Sequence, residues 1–385
     1  MNISPYAWVL LGIGIFELWR FLMNRRLAKL STTPKESEEE EEINLFTYGL
    51  TAQQAQQLLA NGADATATNS EGLTPLMIEK DGGAILAIAA AGADISAVDI
   101  YQQNAVHHLA WNQDPRRSYT DAVLQLAHQA GLNLDAVDKE GNTPVYLAVY
   151  QDAVETVEAL LTYGANPNTT PQEDSDINLN GETALSYAAT VTEHTLITLL
   201  LLGAGAHDTK EQYRWTPLHQ AAANGNEAEA AALLAQGTPA DTRDILGCTP
   251  LMAACFFGHT AIAKLLVEAG AAPDTRSANK AGSICTNWSP LMLAAWKGNT
   301  DTVAYLLSLG VEVDGRGDDC GFTPLIVASR RNKIGVARLL LQAGADPNAL
   351  DTEYQEFSPL YYATPGTEMH RLLLAHGATE PKGEA

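Results

Sequence analysis

The residues of this sequence that could do chemistry are four cysteines and nine histidines, and their spacing suits neither catalysis nor metal binding. A structural zinc site needs two closely spaced pairs of Cys or His ligands. The best pair here is Cys255 with His259, which leaves a metal ion two ligands short. No G-x-S-x-G, phosphate-loop or H-E-x-x-H motif occurs. We therefore predict that the protein is not an enzyme and has no catalytic residue, metal site, cofactor or small-molecule substrate.

A short triplet, most often Thr-Pro-Leu, organises the rest of the chain. An Ala-rich apolar stretch follows it each time. The Thr or Ser hydroxyl can accept from amides of a first helical turn, and Pro at the first helical position gives up an amide that has no helical partner. Each triplet therefore predicts the start of a helix. The anchors are Thr74, Asn104, Thr143, Thr183, Thr216, Thr249, Ser289, Thr323 and Ser358.

The spacing of these anchors indicates a repeat protein. Those at 183, 216 and 249 are 33 residues apart, and a fixed period of this size indicates stacked copies of one small unit. In each unit a second helix with paired leucines, such as Leu233 and Leu234, ends near a Gly such as Gly237. A single unit cannot bury its own apolar faces, so neighbouring units must stack. We predict an all-α solenoid of about nine to ten helix-turn-helix repeats.

The unit that begins at Thr216 resembles an ankyrin repeat almost residue by residue. The run Thr-Pro-Leu-His-Gln-Ala-Ala from Thr216 to Ala222 is followed by Gly225, the Leu233 pair and Gly237. The resemblance covers roughly residues 44–380, with a partial unit at each end. It implies an ankyrin repeat domain over residues 44–380 that binds proteins rather than catalysing a reaction.

Several histidines occupy positions that this resemblance makes structural. His259 follows Gly258 between two helices, where ankyrin repeats commonly carry His. We interpret His259, together with His107, His108 and His219, as packing and hydrogen-bonding residues.

The resemblance also implies where a partner would bind. Ankyrin repeats, as a family, contact proteins through the loop residue before the anchor and through the end of the first helix, seven and eight places after it. In this sequence all four Trp outside the N-terminal segment lie on those positions, and Trp, Tyr and Arg dominate interface energies. The predicted partner-binding residues are Trp111, Tyr150, Trp215, Phe256, Phe257, Trp288, Trp296, Lys297, Phe322, Arg330, Arg331 and Phe357.

A second interpretation of these residues stays open, because large aromatic side chains could instead fill the gaps between stacked repeats. The two interpretations differ in what an alanine substitution does. For a binding surface, Trp288→Ala and Trp296→Ala should leave thermal stability nearly unchanged and weaken binding by about 2 kcal/mol or more. A loss of melting temperature with intact affinity would place both residues in the core.

The N-terminus predicts a membrane anchor. Residues 5–23 are almost entirely apolar and about long enough to cross a bilayer as a transmembrane helix. Glu17 and Arg20 can pair on one helical face, and basic residues follow the apolar run while none precedes it, which places the repeats in the cytoplasm. A cleaved signal peptide and a surface or partner helix remain alternatives. Residues 24–43, with an acidic run from Glu38 to Glu42, predict an acidic juxtamembrane linker.

Charge limits the class of partner. The net charge of −23 opposes a phosphate backbone, so we expect no nucleic-acid binding. Anchor and repeats together predict a single-pass membrane protein whose ankyrin surface recruits or sequesters a protein partner. One alternative is an immunity or inhibitor protein that neutralises a cognate toxin or enzyme, and a purely architectural role also stays open.

Overall fold

The computed structural model divides the chain into two units, Met1–Ile43 and Asn44–Ala385. It describes residues 44–47, 49–111, 117–169, 183–190, 194–207, 215–244, 246–277, 287–317, 321–351 and 357–379, all of them in the second unit. The predicted transmembrane helix at 5–23 and the linker at 24–43 lie outside the described residues. Within the described ranges no helix combines the length and the apolar character needed to cross a bilayer.

The described residues form eighteen helices and belong to the all-α class that the sequence predicts. These are α1 Ala52–Ala60, α2 Pro75–Ile78, α3 Gly82–Ala90, α4 Ala105–Trp111, α5 Arg117–Gln129, α6 Pro144–Tyr150, α7 Val154–Thr162, α8 Ala184–Thr190, α9 Thr195–Gly203, α10 Pro217–Asn224, α11 Glu227–Ala235, α12 Pro250–Phe257, α13 Thr260–Glu268, α14 Pro290–Lys297, α15 Thr300–Ser308, α16 Pro324–Arg330, α17 Ile334–Gln342 and α18 Glu368–Ala375. From α2 to α17 they form eight pairs of a first and a second helix, with α1 and α18 at the ends. The pairs match the predicted solenoid of repeats.

The anchors cap the first helices as predicted. In six repeats the anchor hydroxyl accepts from the backbone amide three residues later, at the start of α6, α8, α10, α12, α14 and α16. Asn104 replaces the hydroxyl with its Oδ1, which accepts from the amides of Val106 and His107 at 3.0 and 3.2 Å. An Asn without a following Pro therefore begins α4 by the same chemistry.

The last anchor, Ser358, is an exception to the predicted pattern. Residues 359–362 form turns instead of an α-helix. Pro365 explains the difference, because it lacks an amide hydrogen and its ring would clash with the carbonyl one helical turn earlier. Gly366 follows with a φ of +79°, which turns the chain toward α18. The closing repeat therefore has only its second helix.

Histidines join neighbouring repeats, which confirms the structural role predicted for them. A ring nitrogen of His219 donates to the carbonyl of Cys248 in the next repeat at 3.1 Å. His107 makes the equivalent bond to the carbonyl of Ala136 at 3.1 Å. His259 points the other way, to the carbonyl of Ala223 in the preceding repeat at 2.9 Å.

The repeats form two runs of regular packing. Contacts between first helices lead from α2 through α4 and α6 to α8, and again from α10 through α12 and α14 to α16. Between α8 and α10 there is at most weak contact, whereas α9 touches α10. We call residues 44–207 the first stack and residues 215–379 the second stack. The regular stacking of first helices is therefore interrupted between them.

Candidate protein-binding surface

Five of the twelve predicted partner-binding residues are buried, which corrects the expectation that all twelve are available to a partner. They are Trp215, Phe256, Trp288, Trp296 and Phe322. Trp288 is only 1 % exposed and Phe256 has no exposed surface. The interpretation in which aromatic side chains fill the gaps between repeats describes these five residues.

Trp215 shows how such a residue joins two repeats. Its indole Nε1 donates to Oδ2 of Asp244, in the loop before the next anchor, at 3.1 Å. Its ring stacks on His219 with 6.0 Å between the ring centroids. A buried indole needs a partner for its N–H, and Asp244 provides one from the neighbouring repeat.

Trp288 and Trp296 form the aromatic core of the repeat that begins at Ser289. Their rings meet edge to face, with centroids 5.8 Å apart and planes at 89°. The backbone amide of Trp288 donates to Oγ of Ser277 at 2.8 Å, which fixes the loop before the helix. The pair therefore holds α14 against its own loop and is not available as a flat contact surface.

The basic residues beside these rings cover aromatic faces. The Lys297 ammonium lies 4.8 Å from the centroid of the Phe256 ring. The Arg331 guanidinium lies 4.5 Å from the centroid of Trp296. Phe257 packs edge to face on Phe256. We call these five residues, Phe256, Phe257, Trp296, Lys297 and Arg331, the cradle. It lies at the C-terminal ends of α12, α14 and α16.

The cradle is occupied by the first stack. Lys297 Nζ lies 2.6 Å from Oε1 of Glu158 on α7, and Arg331 bonds Glu158 at 2.6 Å and Glu155 at 3.2 Å. Burial acts to raise the pKa of Glu158, but the charges and hydrogen bonds of Lys297 and Arg331 outweigh it and hold that pKa below its ordinary value. Two residues predicted to bind a partner, Lys297 and Arg331, thus contact this chain's own α7.

Helix α9 also packs between the stacks. Its seven residues from Thr195 to Leu201 are all buried, whereas α11 buries one residue and α13 and α15 bury three each. Seven consecutive buried residues cover every side of a helix, so α9 must be enclosed. At its end a Cβ on Gly203 would overlap the Phe257 ring. The leucine run of α9 and this Gly are the features of the sequence that indicate the docking, and they lie outside the predicted partner-binding residues.

The N-cap of α9 is a buried neutral histidine. Burial lowers the pKa of His194 to about 4, and the nearby positive charge of Arg330 acts in the same direction. Because the folded pKa lies below the ordinary value of 6.5, the unfolded chain takes up the proton first. The stability contributed by neutral His194 is complete above pH 6.5 and is lost as the pH falls toward 4.

We therefore expect acid to destabilise the array through His194. Between pH 7 and pH 5 this residue should cost about 2 kcal/mol of unfolding free energy, from 1.4 kcal/mol per pKa unit. The measurement is chemical unfolding at several pH values for wild type and His194→Gln. Because other buried groups also titrate, the test is the difference between the two curves, and parallel curves would contradict the assignment.

The remaining predicted residues lie in two places. Trp111 stacks on Tyr150 in the first stack with 6.1 Å between centroids, and both are half-buried. Burial raises the pKa of Tyr150 to about 12, so its hydroxyl stays protonated. Phe322, Arg330 and Phe357 belong to the C-terminal end of the second stack.

Two tyrosines outside the predicted set, Tyr361 and Tyr362, complete the surface at that C-terminal end. Tyr361 stacks on Phe357 with centroids 3.9 Å apart, and Tyr362 meets Tyr361 edge to face at 5.3 Å. Phe322 contacts Tyr362, and Arg330 lies over the Phe322 ring. Tyr361 is 57 % exposed, the most exposed large apolar side chain among the described residues. We call Phe322, Arg330, Phe357, Tyr361 and Tyr362 the C-terminal aromatic patch.

The candidate chemical residues do not assemble a reaction centre in the described part of the chain. Among those residues no three His, Cys, Asp or Glu side chains are disposed to hold a metal ion. Cys248 and Cys255 are buried, and burial raises the pKa of both thiols, which keeps them protonated and unreactive. Cys285 and Cys320 lie outside the described residues.

Comparison with known proteins finds relatives that share the repeats over part of their length. A putative ankyrin repeat-containing protein of Treponema pallidum is 38 % identical over 23 % of this chain and 30 % of its own length. The nuclear factor NF-kappa-B p105 subunit of Mus musculus is 32 % identical over 38 % of this chain and 14 % of its own. The human transient receptor potential cation channel subfamily A member 1 is 27 % identical over 28 % of this chain and 11 % of its own. The chain therefore spans less than a third of the length of each of these relatives.

A family profile described as "Ankyrin repeats (3 copies)" matches residues 116–207, 185–277 and 274–351. These matches are continuous over more than half of the chain and coincide with helix pairs from α5 to α17. Ankyrin repeats generally mediate protein–protein interaction and are typically not enzymes. The capped helix pairs, the histidine bonds between repeats and these matches together show that the chain belongs to the ankyrin repeat family.

Proposed function

We propose that this protein is a non-enzymatic binding module that recruits or sequesters a protein partner through the C-terminal aromatic patch. The observation that supports this proposal is the exposed Tyr361, stacked on the half-buried Phe357 beside Arg330. Aromatic residues and Arg supply much of the energy of protein interfaces. Rings that are already held in place lose little conformational freedom on binding, which favours affinity.

The patch also differs from the other predicted positions in being available. Trp215 and Trp288 are buried within the array, and the cradle is covered by α7. At the C-terminal patch, Tyr361 and the Arg330 side chain are exposed to solvent. A partner can therefore reach this end of the second stack without rearrangement of the array.

Tyr361→Ala tests this proposal. We expect it to leave the melting temperature nearly unchanged, because Tyr361 is exposed, and to lower partner recovery at least about tenfold, which corresponds to 1.4 kcal/mol. The measurement is quantitative affinity capture with the full-length chain, followed by titration of each protein that wild type enriches. Leu309→Ala, at an exposed residue that directly follows α15 and lies outside the patch, is the matched control. Equal recovery by wild type and Tyr361→Ala would place the site elsewhere.

We propose further that residues 5–23 hold this binding module at a membrane, with residues 24–43 as the tether and the repeats in the cytoplasm. The support is the apolar composition of 5–23 and the basic residues that follow it. A reporter fused after Ala385 that is active only outside the cytoplasm should stay silent. Activity of that reporter would overturn the orientation.

A further inference from the structure

The contact between α7 and the cradle joins residues that are far apart in the chain. Glu158 and Lys297 are separated by 139 residues, and Glu155 and Arg331 by 176. Glu155 and Glu158 lie three residues apart, which places both carboxylates on one face of α7. The side chains of Arg331 and Lys297 are only 11 % and 22 % exposed in this contact. One helix thus presents two acids to two basic residues across the boundary between the stacks.

The cradle has the composition of a recognition site. The two terminal nitrogens of Arg331 each bond a different carboxylate, that of Glu155 and that of Glu158. A planar guanidinium with several donors provides this geometry, whereas a Lys ammonium does not. Both basic groups are held over aromatic rings, so their positions are set before any acid arrives. Phe257 supplies an apolar wall that contacts Gly203. The basic groups therefore select a helix with paired acids, and Phe257 packs on α9 beside it.

The fit of the first stack in this site is incomplete. Trp296 Nε1, beneath Arg331, is buried and has no hydrogen-bond partner among the described residues. On α9, the same holds for Nδ1 of His194 and for the hydroxyls of Thr195 and Thr198. Buried polar groups are normally satisfied, and each one left unsatisfied opposes burial. Trp296 Nε1 lies in the cradle itself, so this unsatisfied group opposes the closed contact and favours one that can open.

We propose that the cradle is a binding site for a partner helix that presents two carboxylates one turn apart, and that α7 occupies it until such a helix displaces it. Because α7 belongs to the same chain, its high effective concentration excludes weak competitors. Binding of the partner then requires the two stacks to separate. This site is distinct from the C-terminal aromatic patch, so either proposal can fail without the other.

The test uses the full-length chain in detergent and a peptide of residues 152–165, constrained as a helix and labelled for fluorescence anisotropy. A matched peptide carries Glu155→Gln and Glu158→Gln. Two variants open the array by different routes. Glu155→Lys with Glu158→Lys removes the competing acids, and Gly203→Leu places a side chain against Phe257 and leaves the charges of the cradle intact. Glu227→Lys with Asp301→Lys, two exposed acids on α11 and α15, is the control with the same change of net charge.

We expect the peptide to bind both opening variants at least tenfold more tightly than it binds wild type and the control. The Gln peptide should bind the opening variants at least tenfold more weakly than the Glu peptide. Adding Lys297→Glu and Arg331→Glu to an opening variant should abolish binding. Hydrogen exchange should show faster exchange of the α9 amides in both opening variants, while the helical circular dichroism of the second stack persists.

Three results would overturn the proposal. Equal affinity of the Glu peptide for wild type and the opening variants would show that α7 does not compete for the site. Equal affinity of the two peptides would show that the carboxylates are not recognised. If an opening variant dimerises and binds no peptide, the cradle binds a second copy of this chain instead of a partner helix. If both opening variants unfold, hydrogen exchange of the wild-type protein is the test. The proposal then requires that saturating Glu peptide accelerates exchange of the α9 amides and that the Gln peptide does not.

Discussion

Trp288→Ala is expected to lower the free energy of unfolding of the second stack by about 3–5 kcal/mol, the range for removing a large aromatic side chain from a core. Trp288 is 1 % exposed and meets Trp296 edge to face, so its removal leaves a cavity and an unsupported partner ring. Guanidinium unfolding followed by far-UV circular dichroism measures the effect. For a binding surface, the sequence predicts that Trp288→Ala leaves stability nearly unchanged, and the structure reverses that expectation.

Leu350→Ala is the control for this substitution, because Leu350 is an apolar residue in the same stack with 43 % of its surface exposed. We expect a change of no more than about 0.5 kcal/mol, as for ordinary surface substitutions. A Trp288→Ala protein as stable as wild type, with reduced affinity for a partner, would return Trp288 to the binding surface.

Gly203→Ala is expected to destabilise the array by about 1–3 kcal/mol, although alanine is the better helix former by about 1 kcal/mol. A Cβ at this position would overlap the Phe257 ring, so either the ring or the whole of α9 must shift. The loss therefore measures the docking of the two stacks rather than the helix itself. Chemical unfolding of wild type and Gly203→Ala gives the value.

A double-mutant cycle with Phe257→Ala separates the two contributions. In the Phe257→Ala background the clash is absent, so Gly203→Ala should become neutral or stabilising through helix propensity. We expect a coupling of about 1–3 kcal/mol between the two positions, as for residues in direct contact. Additive effects would show that α9 does not pack on Phe257 in solution.

The sequence predicted the repeat architecture because the responsible interactions are local. An anchor hydroxyl and the amide it caps are three residues apart, so the spacing Thr-Pro-Leu predicts the start of a helix without reference to neighbouring repeats. The missing helix after Ser358 also has a local cause, because Pro365 prevents a continuing helix. The histidine bonds followed from the position of His within each unit.

Whether each aromatic residue is buried could not be predicted from the sequence. Their positions directly before an anchor predicted that Trp288 and Phe357 contact a partner, but position along the sequence does not show which rings neighbouring residues cover. Trp288 is enclosed by Trp296 and its own loop, whereas Tyr361 follows an anchor whose helix is replaced by turns and stays exposed. Two aromatic residues close to equivalent anchors thus have opposite environments.

The family, the repeat period and the capped starts of most first helices were determined by the sequence alone, because hydrogen bonds within one turn and a fixed period decide them. The docking of α7 and α9 on the cradle was decided only by the tertiary structure. It joins Glu158 to Lys297 and Arg331 across more than a hundred residues, and no periodic pattern relates those positions. Only folding of the chain shows that the surface predicted for a partner is occupied by its own helix.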